Sequence, residues 1–224
     1  MRKLLLTFLL IPLLYGQVSG QELIVGIKGG PVVSGLLYSN FTPKTGHRLG
    51  FSAGISLLKP ISAHKDLGVE LMYDQRGYSD QFTYTNLLGE IIGTFEYTYL
   101  FDYIALPCYV RFQTSKDIKW FLDLGLSPSY MISARTRSHT MDFYGNKGPQ
   151  RKYKFDPDPF YMSRFDIAAL IGGGVQFKIR DNIAIDLNLR YTNGLLSIFD
   201  RGLFEQYMLI NSLNFSVGAN YTIK

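Results

Sequence analysis

The chain has 224 residues, of which 15% are aromatic, 18% are charged and 22 are glycine, a composition typical of one β-rich domain. Its formal net charge of +5, without a basic helix, argues against nucleic acid as a partner. The single cysteine, Cys108, excludes an internal disulfide and a thiolate metal cluster.

The first 20 residues differ from the rest of the chain. Two basic residues precede an apolar run from Leu4 to Leu14, and Val18-Ser19-Gly20 offers small residues for cleavage. This order predicts a secretory signal peptide, because the apolar run is shorter than the roughly 20 residues that a spanning helix needs. We therefore expect a signal peptide over residues 1–20 and one domain over residues 21–224.

Apolar residues alternate with polar residues or glycines in eight later runs, and this period of two predicts strands with two unlike faces. The runs are Leu23–Gly30, Leu49–Leu57, Leu67–Asp74, Thr94–Phe112, Trp120–Ser133, Phe165–Ile179, Ile183–Thr192 and Ser212–Ile223. The connections between them are alternately long and short, beginning with a long one after the first strand.

The fourth run is irregular. Its aromatic residues from Phe95 to Phe101 share one parity, whereas its apolar residues from Ile104 to Phe112 share the other. The switch near Asp102-Tyr103 indicates a bulge or a change of environment along one strand. Pro107 also favours an edge or a bulge, since proline cannot donate a hydrogen bond to a neighbouring strand.

Alternation alone leaves open whether the apolar face points into a soluble, lipocalin-like barrel or outward to lipid. Three features favour the second arrangement: strands of about ten or more residues, short turns alternating with long loops, and polar rows rich in glycine and serine. Because unpaired backbone groups cannot face lipid, such a barrel must be closed. We therefore predict an all-β fold, an eight-stranded antiparallel up-and-down transmembrane β-barrel in the cell outer membrane.

The interior of an eight-stranded barrel is just filled by side chains. Charged residues of the polar rows would then meet in the lumen and have to pair there. We expect a structural lumen network that consists of Lys28, Glu70, Arg76, Asp123, Asp166, Lys178, Asp186 and Arg190.

The hairpin Phe165–Leu195 gives the most specific expectation. Even-numbered residues face inward on both of its arms, and Arg180-Asp181-Asn182 forms the turn. A three-residue loop sets Gly172 opposite Arg190, whereas a shift by two residues sets Gly174 there. In either register, we expect the glycines to leave room for the guanidinium group.

The connection from Arg135 to Pro159 is the most suggestive one for binding, because its cations outnumber its aspartates six to three. On the outer surface it could attract lipopolysaccharide phosphates or an acidic partner, and a solvated loop without function is the alternative. The cations are Arg135, Arg137, Lys147, Arg151, Lys152 and Lys154.

No catalytic, cofactor or metal motif is recognisable in the sequence. It has no phosphate-binding loop and no HExxH motif, and His47, His64 and His139 are scattered. A hydrolase or acyltransferase with His47 or His139 as the base is conceivable, but nothing places a nucleophile beside either residue. We therefore expect no enzymatic activity, no cofactor and no bound metal.

Five short motifs occur in an order and spacing that resemble the PorT-like outer-membrane β-barrel family, often labelled "porin family protein". They are Gly26-Ile27-Lys28-Gly29-Gly30, Val69 to Gly77 (VELMYDQRG), Tyr103-Ile104-Ala105-Leu106-Pro107, Phe165-Asp166 with Gly172-Gly173-Gly174, and Leu189 to Leu195 (LRYTNGL). The resemblance implies an eight-stranded barrel in the outer membrane of a Gram-negative cell, and one family member serves a protein-secretion apparatus. The final Lys224 departs from the aromatic residue that usually ends such barrels.

These observations together predict a structural or binding role at the cell surface, without catalysis. The expected partners are outer-membrane lipid and lipopolysaccharide, with envelope or secretion proteins as further candidates. Transport of small solutes is the first alternative, which a lumen filled by charged side chains disfavours. A lipid-modifying enzyme is the second alternative.

Overall fold

The computed structural model describes residues 22–38, 45–85, 88–114, 118–141, 147–157, 162–199 and 207–223. The predicted signal segment, residues 1–20, lies outside these ranges. The described residues contain no helix that is long and apolar enough to cross a membrane.

The described residues form ten β-strands, and every strand pairing is antiparallel. The strands are β1 (Leu23–Tyr38), β2 (Gly46–Ser62), β3 (Lys65–Thr85), β4 (Ile91–Ala105), β5 (Cys108–Gln113), β6 (Ile118–Met141), β7 (Lys147–Phe155), β8 (Phe165–Arg180), β9 (Ile183–Gly194) and β10 (Met208–Ile223).

The strands close into a ring with eight positions around it. β1 pairs with β2, β2 with β3, and β3 with both β4 and β5, which follow one another along one position. Both then pair with β6, and the ring continues through β8, β9 and β10. The pairing of β10 with β1, from Ile223↔Leu23 to Met208↔Tyr38, completes it. The predicted eight-stranded up-and-down barrel is therefore confirmed.

The outward face of the barrel is apolar and the inward face is polar. On β10, the odd-numbered apolar side chains from Leu213 to Ile223 are exposed, whereas Ser212, Ser216 and Asn220 are buried. The stretch from Leu213 to Ile223 is roughly 33 Å long at the usual rise per residue. At a tilt of about 40° it covers about 25 Å, the height of the apolar band in outer-membrane barrels. The outward orientation of the apolar rows is thus confirmed.

Two predicted connections are strands instead. The polar segment up to Gly93 belongs to a long β3–β4 hairpin, and most of Ala134–Phe155 belongs to a β6–β7 hairpin. Together, β3 from Ser79, β4 up to Thr98, β6 from Ala134 and β7 form a sheet beyond the lipid-facing band, which we call the external sheet. Its strands have no row of lipid-facing apolar residues, so the pattern that marked the other strands is missing.

The expected irregularity near Asp102-Tyr103 is present. The register between β4 and β6 shifts between these two residues, from Asp102↔Ser133 to Tyr103↔Met131. Because β4 takes one step while β6 takes two, the extra residue is Ile132 on β6. The bulge changes the inward parity of β6 rather than that of β4.

Pro107 lies at the break between β4 and β5. Its carbonyl oxygen accepts a hydrogen bond of 2.9 Å from the backbone N–H of Glu70, so the chain stays tied to β3 across the break. The neighbouring N–H of Leu106 donates to the carbonyl oxygen of Pro128 on β6, at 2.8 Å.

Candidate functional site

A network of charged side chains crosses the middle of the lumen. Glu70 on β3 accepts two hydrogen bonds from the guanidinium of Arg190 on β9, at 2.7 and 2.9 Å, and one from Lys28 Nζ on β1, at 2.5 Å. The side chain of Glu70 has no solvent exposure. Three strands of the wall are therefore linked through one carboxylate.

A second carboxylate extends the network towards the opposite wall. Asp123 on β6 accepts two hydrogen bonds from Arg111 on β5, at 2.8 and 3.1 Å, and one from Asn188 at 3.1 Å. Arg190 Nη2 lies 3.5 Å from the same carboxylate, and Arg111 also pairs with Asp186 at 3.1 Å. Three cations face three carboxylates, so the network is electrically balanced.

The ring of Tyr109 lies among these three cations. Its centroid is 5.0 Å from Arg190, 5.9 Å from Arg111 and 6.0 Å from Lys28. Cations within about 6 Å of an aromatic ring are attracted to its π-electron face. Tyr109 therefore supports the cations where bulk water is excluded.

A smaller cluster lies nearer the external end. Arg76 donates to Asp74 at 2.8 Å, lies 3.7 Å from Asp166, and sits 5.1 Å from the ring centroid of Tyr103. Above it, apolar side chains fill the lumen as a plug: Leu36, Tyr78, Phe101, Tyr103, Met131, Ala134, Met162, Ile198 and Ile210 are all buried in one cluster.

The space left in the middle of the lumen is small. The cavity bordered by Lys28, Arg76 and Arg190 has a volume of about 20 Å³. That is room for one or two water molecules. Charged layers and the apolar plug together close the lumen.

Most of the expected lumen residues meet, but they form two clusters. Lys28, Glu70, Asp123, Asp186 and Arg190 share the central network, and Arg76 and Asp166 share the external cluster.

Lys178 joins neither of these two clusters. Its side chain is 56% exposed and pairs with Asp181 at the turn after β8, at 2.8 Å. The alternation of apolar and polar residues predicts which side of the barrel wall a side chain faces, but it does not predict its depth along the barrel axis.

Arg111 and Asp74 were missed. Arg111 lies in the inward row of the irregular fourth run, between the conspicuous apolar residues Val110 and Phe112. Strict alternation through Pro107 would have identified it.

The hairpin register follows the first of the two predicted arrangements, with Gly172 opposite Arg190. The expected role of the glycines needs correction, however. A Cβ atom on Gly172 would lie 3.4 Å from the Cβ of Arg190, which is a tolerable contact. A Cβ atom on Gly174 would lie 2.6 Å from the ring of Phe121 and 2.1 Å from the carbonyl oxygen of Leu187. Gly174 therefore makes room for Phe121.

This space matters for the network indirectly. The ring centroid of Phe121 lies 3.7 Å from the guanidinium carbon of Arg111. The glycine on β8 thus admits an aromatic ring that covers the cation at the centre of the lumen.

The predicted binding segment forms two paired strands, and their register determines which of its cations share a face of the sheet. Arg135 lies directly opposite Lys154, and Arg137 lies directly opposite Lys152. Residues directly opposite in an antiparallel pair share one face. We call these four residues the basic face.

The basic face is turned away from the barrel axis. Ala134 and Ser138, which alternate with Arg135 and Arg137 along β6, are buried on the opposite face of the sheet. Ile132, the last lipid-facing side chain of β6, is 48% exposed. The basic face therefore begins roughly 10 Å along the strand from the lipid-facing band.

The other two expected cations lie elsewhere. Arg151 pairs with Ser138 and so belongs to the opposite face of the sheet. Lys147 begins β7, and its side chain lies outside the described set.

Further charges adjoin the basic face at the rim of the barrel. Arg135 donates a short hydrogen bond to Asp102, and Arg48 on β2 lies in the electrostatic field of Asp102, Arg135 and Arg137. The Nε atoms of Arg48, Arg135 and Arg137 are buried and have no hydrogen-bond partner among the described residues. Three guanidinium groups and one carboxylate therefore lie close together at this rim.

The histidines form no catalytic arrangement with serine in the described part of the chain. The ring nitrogens of His64 and His139 contact backbone carbonyl oxygens of Gln113 and Gly148, at 3.2 and 3.0 Å. Among the described residues, no hydrogen bond joins a histidine ring to a serine hydroxyl, and no group of three potential ligands could hold a metal ion.

The closed ring of strands with an apolar outer face defines an outer-membrane β-barrel. The family described as "Outer membrane protein beta-barrel domain" matches residues 16–200, and the chain belongs to this family. The protein is accordingly located in the outer membrane. No curated protein sequence matches the chain.

Several solved structures are similar to the chain. Neisserial surface protein A is 16% identical, with a TM-score of 0.46, over 91% of this chain and 99% of that protein. Outer membrane protein OprG from Pseudomonas aeruginosa is 8% identical, with a TM-score of 0.47, over 91% and 96% of the two chains. The outer membrane protease OmpT from Escherichia coli is 9% identical, with a TM-score of 0.42, over 92% and 99%.

Proposed function

We propose that the protein is a non-catalytic surface barrel that binds anionic groups of lipopolysaccharide through its basic face. One observation carries the proposal: two pairs of like charges lie directly opposite one another, Arg135 with Lys154 and Arg137 with Lys152.

Like charges placed directly opposite destabilise a strand pair by roughly 0.2–1 kcal/mol. A bound anion removes this repulsion and turns it into attraction. Phosphate suits the arrangement, because guanidinium groups bind it through two parallel hydrogen bonds. Asp102 is the single carboxylate with a described ion pair to the basic face, so an anion has little competition there.

The position of the basic face selects lipopolysaccharide among the anions. It begins roughly 10 Å along the strand beyond the lipid-facing band, near the level of the phosphates of the outer leaflet. A ligand there could contact lipid with its acyl chains and the protein with its phosphates at the same time.

The filled lumen favours binding over transport. A central cavity of about 20 Å³ leaves no continuous path for a solute between the charged network and the apolar plug. An enzyme is likewise disfavoured, because the histidines with described ring contacts hold backbone carbonyl groups. Lipid A from cells with and without the protein should therefore give the same mass spectrum.

The resemblance to the PorT-like family suggests a more specific setting. Three of the residues that carry it, Lys28, Glu70 and Arg190, belong to the central lumen network. A role as an accessory of protein secretion would then use the outer surface of the barrel, since the lumen is closed. Secretion or envelope proteins are proposed as partners on this ground alone.

The test compares two variants that each lose two cations. Arg137→Gln/Lys152→Gln removes one opposed pair of the basic face, whereas Arg151→Gln/Lys178→Gln removes two exposed cations from other surfaces. Binding of lipopolysaccharide to the protein in nanodiscs is measured at two salt concentrations. We expect Arg137→Gln/Lys152→Gln to bind lipopolysaccharide at least tenfold more weakly than the wild type. Arg151→Gln/Lys178→Gln should bind it with the affinity of the wild type.

A further control replaces the ligand. Dephosphorylated lipopolysaccharide should bind the wild type as weakly as intact lipopolysaccharide binds Arg137→Gln/Lys152→Gln. Added salt should weaken the binding of intact lipopolysaccharide more than that of the dephosphorylated form, because salt screens the attraction between exposed charges. Equal affinities of both variants for the intact ligand would contradict the proposal.

A further inference from the structure

The lumen widens below the charged network into a chamber at the end of the short turns, which is the periplasmic end in outer-membrane barrels, and we call this chamber the vestibule. Its volume is about 490 Å³. Side chains from seven strands and two turns line it, among them Pro60, Lys119, Gln176, Arg180, Ala184 and Asn220.

The sequence explains why this end of the barrel is hollow. Higher in the lumen, arginine, glutamate and tyrosine fill the inward positions. At the periplasmic end several inward positions hold small residues, such as Ser62 and Ala184, and the long side chains of Lys119 and Arg180 stand at the wall. Side chains that would just fill a barrel of this size are therefore missing from this level.

Only some of the charged groups that line the vestibule have an ion-pair partner among the described residues. Lys178 is paired with Asp181, and Glu22 is the second carboxylate among the lining residues. Lys119 and Arg180 make no ion pair with any described residue. The vestibule thus offers two cations to an incoming anion.

A buried amide points to the same conclusion independently. Asn220 lines the vestibule, is only 6% exposed, and its Nδ2 has no hydrogen-bond partner among the described residues. Buried amide donors are nearly always paired, so an unpaired one marks a place for an acceptor atom. Gln176, also on the wall, is 9% exposed and adds a second amide.

We propose that the vestibule binds a small hydrophilic anion from the periplasm, with a phosphate or carboxylate held by Lys119 and Arg180 and a polar body held by the Asn220 and Gln176 amides. The volume lies within the range of roughly 300–1,000 Å³ that is typical of ligand pockets. Because the network above closes the lumen, the vestibule is a blind pocket and the ligand leaves by the way it entered.

The experiment uses the full mature protein in nanodiscs and three probes of similar size. Glucose 6-phosphate and glucuronate carry the two candidate anionic groups, and glucose is the uncharged control. Amide chemical shifts of Ala63 and Ala184, which line the vestibule, report binding. We expect saturable shifts with at least one anionic probe and none with glucose at the same concentration.

Two variants locate the site. Lys119→Gln/Arg180→Gln should weaken binding of the responsive probe at least tenfold. The matched control Lys59→Gln/Lys65→Gln removes two cations at the same end of the barrel that do not line the vestibule, and it should bind as the wild type does. Heat-dependent migration on gels confirms that each variant is folded.

Three results would overturn the inference: no shifts with either anion, equal shifts with glucose, or unchanged affinity in Lys119→Gln/Arg180→Gln. The basic-face variant Arg137→Gln/Lys152→Gln should bind the probe normally. Failure of lipopolysaccharide binding and failure of the vestibule are therefore distinguishable.

Discussion

Replacement of Glu70 by glutamine should destabilise the barrel more than any exposed charge substitution does. Glu70 holds Arg190 through two contacts and Lys28 through a third, and its side chain is fully buried. Glutamine keeps the volume but removes the charge, so the central network changes from balanced to an excess of one positive charge.

The magnitude follows from this imbalance. Breaking a buried ion pair by removing one partner typically costs about 3–5 kcal/mol, because the remaining charge stays buried without compensation. The double variant Glu70→Gln/Arg190→Met restores the balance, with Lys28 and Arg111 facing Asp123 and Asp186. Its loss of stability should be smaller than the sum of the two single losses by at least about 1 kcal/mol.

The assay is equilibrium unfolding by guanidinium chloride in detergent micelles, followed through the single tryptophan. Trp120 is 65% exposed on the lipid-facing side of β6, so its fluorescence reports loss of the barrel surface. Glu96→Gln, at an exposed position of the external sheet, is the matched control and should stay within about 0.5 kcal/mol of the wild type. A loss below 1 kcal/mol in Glu70→Gln, or strict additivity in the double variant, would refute the reasoning.

Three other outcomes are expected. Gly174→Ala should cost about 1–3 kcal/mol because its Cβ would meet the Leu187 carbonyl oxygen, whereas Gly173→Ala, with no atom closer than 3.5 Å, should unfold like the wild type. Val217→Arg, near the middle of the lipid-facing band, should cost about 2–4 kcal/mol and Leu213→Arg, near its edge, about 1 kcal/mol or less; equal losses would contradict the placement of the band. In planar bilayers the wild type should show no stepwise ion conductance, and reproducible single-channel steps would contradict a closed lumen.

The barrel could be predicted from the sequence because lipid imposes a strict pattern on its wall. Every spanning strand must present apolar side chains to lipid at alternate positions, and β10 shows this from Leu213 to Ile223. The same rule limited the register of the β8–β9 hairpin to pairings of even with even, which left Gly172 and Gly174 as the two candidates opposite Arg190.

The external sheet could not be predicted in this way. Beyond the lipid, both faces of a strand can be polar, so β7 and the far parts of β3 and β6 read as loops. The decisive property of Arg135, Arg137, Lys152 and Lys154 is their pairing, which depends on a register that no local pattern encodes. The sequence showed that these cations were numerous but not that four of them share one face.

The depth of a residue along the barrel axis was the other property that the sequence pattern did not predict. Lys178 and Asp186 have the same parity on adjacent strands, yet one lies at the mouth and the other in the central network. Lys178 pairs with Ala184, one inward position nearer the turn than the pair of Gln176 with Asp186, and alternation does not show where along the barrel axis the network lies.

Solid-state NMR in bilayers that contain lipopolysaccharide tests the proposed binding most directly. With ¹⁵N-labelled arginine and lysine side chains, dephasing by ³¹P reports which cations contact phosphate. We predict contacts at Arg135, Arg137, Lys152 and Lys154, and their loss after dephosphorylation of the lipid. Two results in a correctly inserted barrel would contradict the proposed binding. One is phosphate contacts confined to Arg151, and the other is the absence of contacts from all four residues of the basic face.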